Sequence, residues 1–139
     1  MREEIWLERM ERNILKSKKW QRFTEEFDIG RKPKEVKPLP VRFVFYLPGD
    51  NRDTHTFMQL MDDEILISVF FYQATPQRIV RAFLTHELVH HYLRMNGVAY
   101  MDQSRLFHKA LRYLGIDLDI KLTVKWRHRG SKDNRWKYR

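Results

Sequence analysis

His86-Glu87-Leu88-Val89-His90 lies inside an apolar-periodic run that begins near Thr75 and stops at Gly97. Residues four apart on a helix are turned by about 40° and separated by roughly 6 Å along the axis, so the imidazoles of His86 and His90 face one way and can grip one cation. Glu87 lies beside the pair, where a carboxylate can take a proton from a water that such a cation has acidified. Thr75-Pro76 reads as an N-cap with a first-turn proline, and Asn96-Gly97 supplies a stop. Between them Ile79, Val80, Phe83, Leu84, Leu88, Val89, Tyr92 and Leu93 keep helical spacing. The pattern predicts a helix of about 20 residues that carries both histidines. A helix can also hold these residues without metal, facing solvent or edging a hydrophobic seam, so the surroundings decide.

Upstream, three runs alternate like strands: 41–47, 54–61 and 64–71. Pro48-Gly49-Asp50-Asn51 and Asp62-Asp63 form turns between them, and the economical reading is a three-stranded antiparallel meander. Residues 3–28 read as one or two helices with Ile5, Trp6, Met10, Ile14 and Leu15 on an apolar face that Trp20, Phe23 and Phe27 continue. The stretch 30–40, with three prolines, is a linker into the first strand. Downstream, a second helix is expected over 103–114, burying Leu106, Phe107, Ala110, Leu111 and Leu114 and stopping at Gly115.

A chain of 139 residues with 42% hydrophobic and 14% aromatic content suits one α+β domain over 1–139. Its parts are a helical N-terminal extension (1–37), a core (38–117) and a basic tail (118–139) that forms a strand or hairpin. No stretch resembles a signal peptide or a membrane span, so the expected location is intracellular: cytoplasmic, or nuclear in a eukaryote. With no cysteine, any metal is held by nitrogen and oxygen.

The net charge of +9 is unevenly spread: 11 basic and 8 acidic residues over 1–37, 8 and 9 over 38–120, and 8 and 1 over 121–139. Lys121, Lys125, Arg127, Arg129, Lys132, Arg135, Lys137 and Arg139 alternate in the tail with Trp126, Trp136 and Tyr138. Cations neutralise phosphates and aromatic rings stack on bases, so the tail is a candidate nucleic-acid-binding segment. A solvated amphipathic hairpin with Leu122, Val124 and Trp126 turned inward accounts for the same pattern.

The motif, followed by Tyr92-Leu93, Asn96-Gly97, Phe107, Leu111, Leu114 and Gly115, resembles the SprT-like (Spartan-type) zinc metalloprotease family. The resemblance covers roughly residues 41–115 and is specific over 76–115. It implies a minimal zincin-like fold with strands before the metal helix and a second helix after it. It also implies Zn²⁺ as cofactor and proteins on or near DNA as substrates. Members usually supply a third His ligand where this chain has Gln103, followed by Ser104. Glutamine offers only a neutral amide oxygen, so Asp102 and His108 are alternative third ligands, Asp102 having helix N-capping as its competing role. His91, about 140° round the helix from His86, is a poor co-ligand. His55 and His128 cannot be placed.

The expected activity is therefore a zinc metalloendopeptidase with Glu87 as general base and His86, His90 and Gln103 as ligands. A protein or peptide would align along a sheet edge at 54–61, and Tyr92, Tyr100 or Arg94 are candidates to assist the oxyanion. Two alternatives stand beside it: a noncatalytic nucleic-acid-binding protein on a degenerate zincin scaffold, and a regulator-cleaving peptidase resembling the ImmA/IrrE group, whose third ligand is acidic.

Overall fold

In a computed structural model, which describes residues 3–49, 54–116 and 123–125, helices α1 (Glu3–Lys16) and α2 (Lys18–Glu26) precede the strands. Strands β1 (Val41–Val44), β2 (Thr54–Thr56), β3 (Met58–Leu60) and β4 (Ile65–Ser68) follow, then helices α3 (Val69–Ala74), α4 (Gln77–Met95) and α5 (Arg105–Tyr113), and strand β5 (Thr123–Lys125). The domain is α+β, with five helices among the described residues. Between α2 and β1 the chain has no regular structure, as its prolines suggest.

The sheet differs from the expected meander. Its order is β1-β4-β3, with β1 parallel and β3 antiparallel to β4, so it is mixed. The reason is burial: all four residues of β4 are buried, and a strand covered on every side takes the centre. The run 54–61, carrying Thr54, His55, Thr56 and Gln59, is too polar for that place. It breaks at Phe57, which is fully buried with its ring 4.5 Å from that of Phe83. The β2 half then pairs antiparallel with β5. The tail thus contributes a strand, whereas Lys121, Arg127, Arg129, Lys132, Arg135, Lys137 and Arg139 lie outside the described residues.

The strand expected over 64–71 ends at Ser68, and Val69–Ala74 is helical. A short apolar run fits either state, and here the turn from sheet into α4 selects helix. The first strand likewise stops at Val44, before exposed Phe45 and Tyr46. On α1 the buried face is Leu7, Glu11, Ile14 and Leu15, rotated from the expected one, and Ile5 and Trp6 are exposed. The expected extension is no appendage: Leu7, Trp20 and Phe23 belong to the same core as Ile65, Leu88 and Phe107. Phe23 packs at 5.3, 5.5 and 5.7 Å from the rings of Trp20, Tyr92 and Tyr113, binding α2 to α4 and α5.

The outer edge of β1 is closed by α1. Leu39 N–H donates to Glu11 Oε1 at 2.8 Å and Val41 N–H to Glu8 Oε2 at 3.0 Å, so carboxylates take the donors a neighbouring strand would take. On the other side, β3 has no strand partner besides β4 among the described residues. Met58 and Leu60 occupy the non-hydrogen-bonded positions opposite β4, because Ser68 N–H donates to the Phe57 carbonyl and Met61 N–H to that of Glu64. Their backbone groups therefore face outward.

Candidate metal centre

Helix α4 is set by its ends as the sequence suggests, shifted by one residue. Pro76 occupies the N-cap position, and Thr75 before it is buried. At the other end Gly97 has φ +70°, and Val98 N–H donates to the Leu93 carbonyl, a left-handed stop that only glycine adopts without strain. Asn96 ties this end to the linker, accepting from Lys34 N–H at 2.7 Å and donating to the Lys34 carbonyl at 3.2 Å.

Within α4, His86 and His90 lie on one face with ring centroids 4.9 Å apart. The loop before α5 brings Asp102 to them: its Oδ1 is 2.8 Å from His90 Nε2 and 3.7 Å from His86 Nε2. The N-cap of α5 is Ser104, whose hydroxyl accepts from Phe107 N–H at 3.3 Å. Asp102 is thereby released from capping, the role that competed with coordination. Gln103, the position the family pattern singles out, is exposed and does not line the cleft. The loop turns Asp102, not Gln103, toward the imidazoles, so the third candidate donor is a carboxylate. His108 lies outside the donor group, its Nε2 contacting the Asp102 carbonyl at 2.5 Å and holding the loop from behind.

Each ring has a support. His90 Nδ1–H donates to the Tyr100 carbonyl at 2.5 Å, which fixes the tautomer and leaves Nε2 facing Asp102. Phe107 stacks on His90 at 3.9 Å and meets His86 edge-on at 4.8 Å, forming the wall of the site. A phenylalanine in a helix stripe reads simply as core, so the sequence does not mark this wall; nor does it mark the Tyr100 carbonyl, since backbone groups leave no trace in a sequence.

The donor atoms of His86, His90 and Asp102 all lie within 4.8 Å of one another, so the group could bind a metal ion. Tetrahedral coordination at about 2.0–2.2 Å sets donors roughly 3.3–3.5 Å apart, between the two distances to Asp102. His86 Nε2 is buried without a hydrogen-bond partner, which is costly for a bare imidazole nitrogen and natural for one that ligates. Two imidazoles and one carboxylate with an open side match a catalytic donor set.

The electrostatics agree. Burial lowers the His86 pKa, outweighing Asp102, which raises it. At His90 burial also lowers it, but the Asp102 hydrogen bond, the Glu87 charge and the Tyr100 carbonyl prevail, and the net shift is upward. The two imidazoles hold the Asp102 carboxyl well below the usual carboxylate range. Without metal the cluster thus favours a proton between His90 and Asp102, where a cation would sit. Glu87 is buried at 4% exposure, and desolvation raises its carboxyl to about 7 against the lowering effects of His90 and of a hydrogen bond from the Leu60 backbone.

These groups line a cleft of about 390 Å³ with Met58, Gln59, Leu60, Arg94, Tyr100 and Met101. The edge strand therefore borders the cluster. Tyr92 is excluded from it, lying against Trp20 and Phe23 in the core. Arg94 is occupied, donating to the Met61 carbonyl at 3.2 Å and the Asp62 carbonyl at 3.0 Å. Tyr100 remains at the cleft. His91 is buried beside Arg94, outside the donor group, and His55 lies in β2. His128 lies outside the described residues. No family model, curated protein or solved structure matches this chain.

Proposed function

We propose that the protein is a zinc-dependent metallopeptidase on a minimal zincin-like scaffold, with His86, His90 and Asp102 as ligands and Glu87 as general base. The observation that carries the reading is the juncture of three donors with a buried carboxyl on the adjacent residue of the same helix. Zinc held there supplies a Lewis acid that makes a water nucleophilic near neutral pH and polarises a peptide carbonyl. With the ion in place, Glu87 would act as the base that takes a proton from water and returns it to the departing amine. Met58 and the Leu60 carbonyl offer outward backbone groups along which an extended peptide can pair with little sequence preference, the Leu60 N–H being taken by Glu87. The Tyr100 hydroxyl is the candidate donor to the oxygen on which charge develops.

Proteins on or near DNA are the proposed substrates on the SprT-like resemblance and the basic tail. The acidic third donor favours a second reading of the same chemistry, a regulator-cleaving peptidase of the ImmA/IrrE kind. The test is cleavage of a labelled unfolded protein by the zinc-loaded chain, with and without DNA, beside Glu87→Gln. Metal-dependent cleavage that Glu87→Gln abolishes supports the peptidase, and DNA stimulation selects the first reading. Zinc binding with no cleavage under any condition returns the protein to a noncatalytic scaffold.

A further inference from the structure

Away from the metal cluster, five cations gather around two adjoining hollows on the face made by α2, α4 and the end of α5. The first, about 250 Å³, has Lys19, Arg78 and Arg81 over a floor that includes Trp20 and Leu114. The second, about 420 Å³, is lined by Lys18, Lys19, Arg22 and Tyr113, so Lys19 joins them. No acidic residue lines either hollow, and none of the five cations has an ion pair among the described residues. All five are exposed. At the margin of this face Glu26 accepts from the Tyr113 hydroxyl.

A solvated surface accounts poorly for where these charges stand. Lys18 and Lys19 open α2, and Arg78 and Arg81 fall in the first five residues of α4; neither helix has an acid in its first turn. The positive end of the helix dipole disfavours cations at such places, whereas α1 opens with Glu3 and Glu4. Lys19 has a compensating neighbour, since its Nζ lies over Gly115 at the end of α5, where an added Cβ would come within 3.3 Å. Arg78 and Arg81 have no such compensation. Two helix starts and five cations thus converge with one carboxylate, Glu26, at the margin, an arrangement that an anion relieves.

We infer that this face binds the phosphate backbone of a single-stranded nucleic acid, independently of the tail and of the metal cluster. Five cations across two hollows exceed the need of one phosphate, and an exposed ring among them suits a strand whose bases are free to stack. Tyr113, 38% exposed, offers a ring at the rim for base stacking.

The probe is fluorescein-labelled oligothymidylate of about 20 nucleotides, titrated with the full chain by anisotropy between about 50 and 200 mM salt. With the tail intact, Lys19→Ala/Arg78→Ala/Arg81→Ala should weaken binding and cut the slope of log K against log salt by about 2, near 0.7 for each lost phosphate contact. Arg78→Lys/Arg81→Lys should keep most of that slope. Arg78→Glu alone should bind about tenfold more weakly yet melt at a higher temperature, because an acid suits the start of α4. That opposite movement separates binding from folding. Zinc binding should be unaltered in each variant, so failure here is distinct from failure of the peptidase reading. The inference is overturned if the triple variant, folded by circular dichroism, keeps wild-type affinity and slope. A duplex of equal length bound as tightly through the same residues also overturns it, as does full displacement by millimolar inorganic phosphate.

Discussion

The two outer edges of the sheet are treated alike by the backbone and differently by the neighbours. At β1, Glu8 and Glu11 of α1 accept strand-side N–H groups; at β3, Glu87 of α4 hydrogen-bonds the Leu60 backbone. Glu11 and Glu87 are both buried acids raised by desolvation, to about 8 and about 7. The charges that act on Glu11 among the described residues are Glu8 and Arg12, whereas Glu87 has His90 and Asp102 beside it and opens on a cleft. A perturbed buried carboxyl therefore does not identify a site by itself. The imidazoles beside an edge with no further strand among the described residues set the second apart, which makes the first edge a closure and the second a candidate place of reaction.

That contrast can be broken by exchanging the acids for amides. Glu87→Gln should leave zinc binding intact and reduce peptide cleavage by about 10²–10⁴-fold, measured as initial rate on the zinc-loaded protein. Glu11→Gln should leave cleavage unaltered and act on stability. The folded Glu11 carboxyl, raised from 4.5 to about 8, is protonated where the unfolded chain is ionised, and its buried Oε2 has no partner. The folded state thus binds the extra proton, and this contribution, full below about pH 4.5, is lost as pH rises toward 8. Glu11→Gln should flatten that decline in urea midpoints and leave the variant more stable at pH 8 by roughly 3–5 kcal/mol. Should Glu11→Gln abolish cleavage while folded, or Glu87→Gln spare it, the two edges have been assigned the wrong way round.

A smaller effect sharpens the comparison at the cleft. Tyr100→Phe should lower the cleavage rate by about tenfold or more without changing zinc affinity, since it removes a donor needed only as charge develops. His108→Ala should weaken zinc binding by a factor of about 10, because the His108 ring holds the Asp102 loop from outside the donor group. Isothermal titration with zinc distinguishes the two.

How far the sequence carries is visible in these same residues. Helix α4 was legible because apolar period, glycine stop and His spacing agree over 19 residues. The edge at β3 was legible as a polar strand, yet the sheet order was not, since alternation says which face is buried and nothing about which strand lies alongside. Asp102 was a candidate, but the family pattern put Gln103 first. Only the backbone turn that makes Ser104 the cap of α5 shows which of the two adjacent side chains points inward. The burial of Glu11 was not legible, because a lone buried acid looks the same in a sequence as an exposed one.

The central claim is that His86, His90 and Asp102 form one zinc site, and zinc titration of the apo chain with Asp102→Ala and Gln103→Ala tests it most directly. One zinc per chain, lost or weakened at least tenfold in Asp102→Ala and unchanged in Gln103→Ala, is the predicted result. Unchanged affinity in Asp102→Ala, or no zinc bound by the folded wild type, would contradict it.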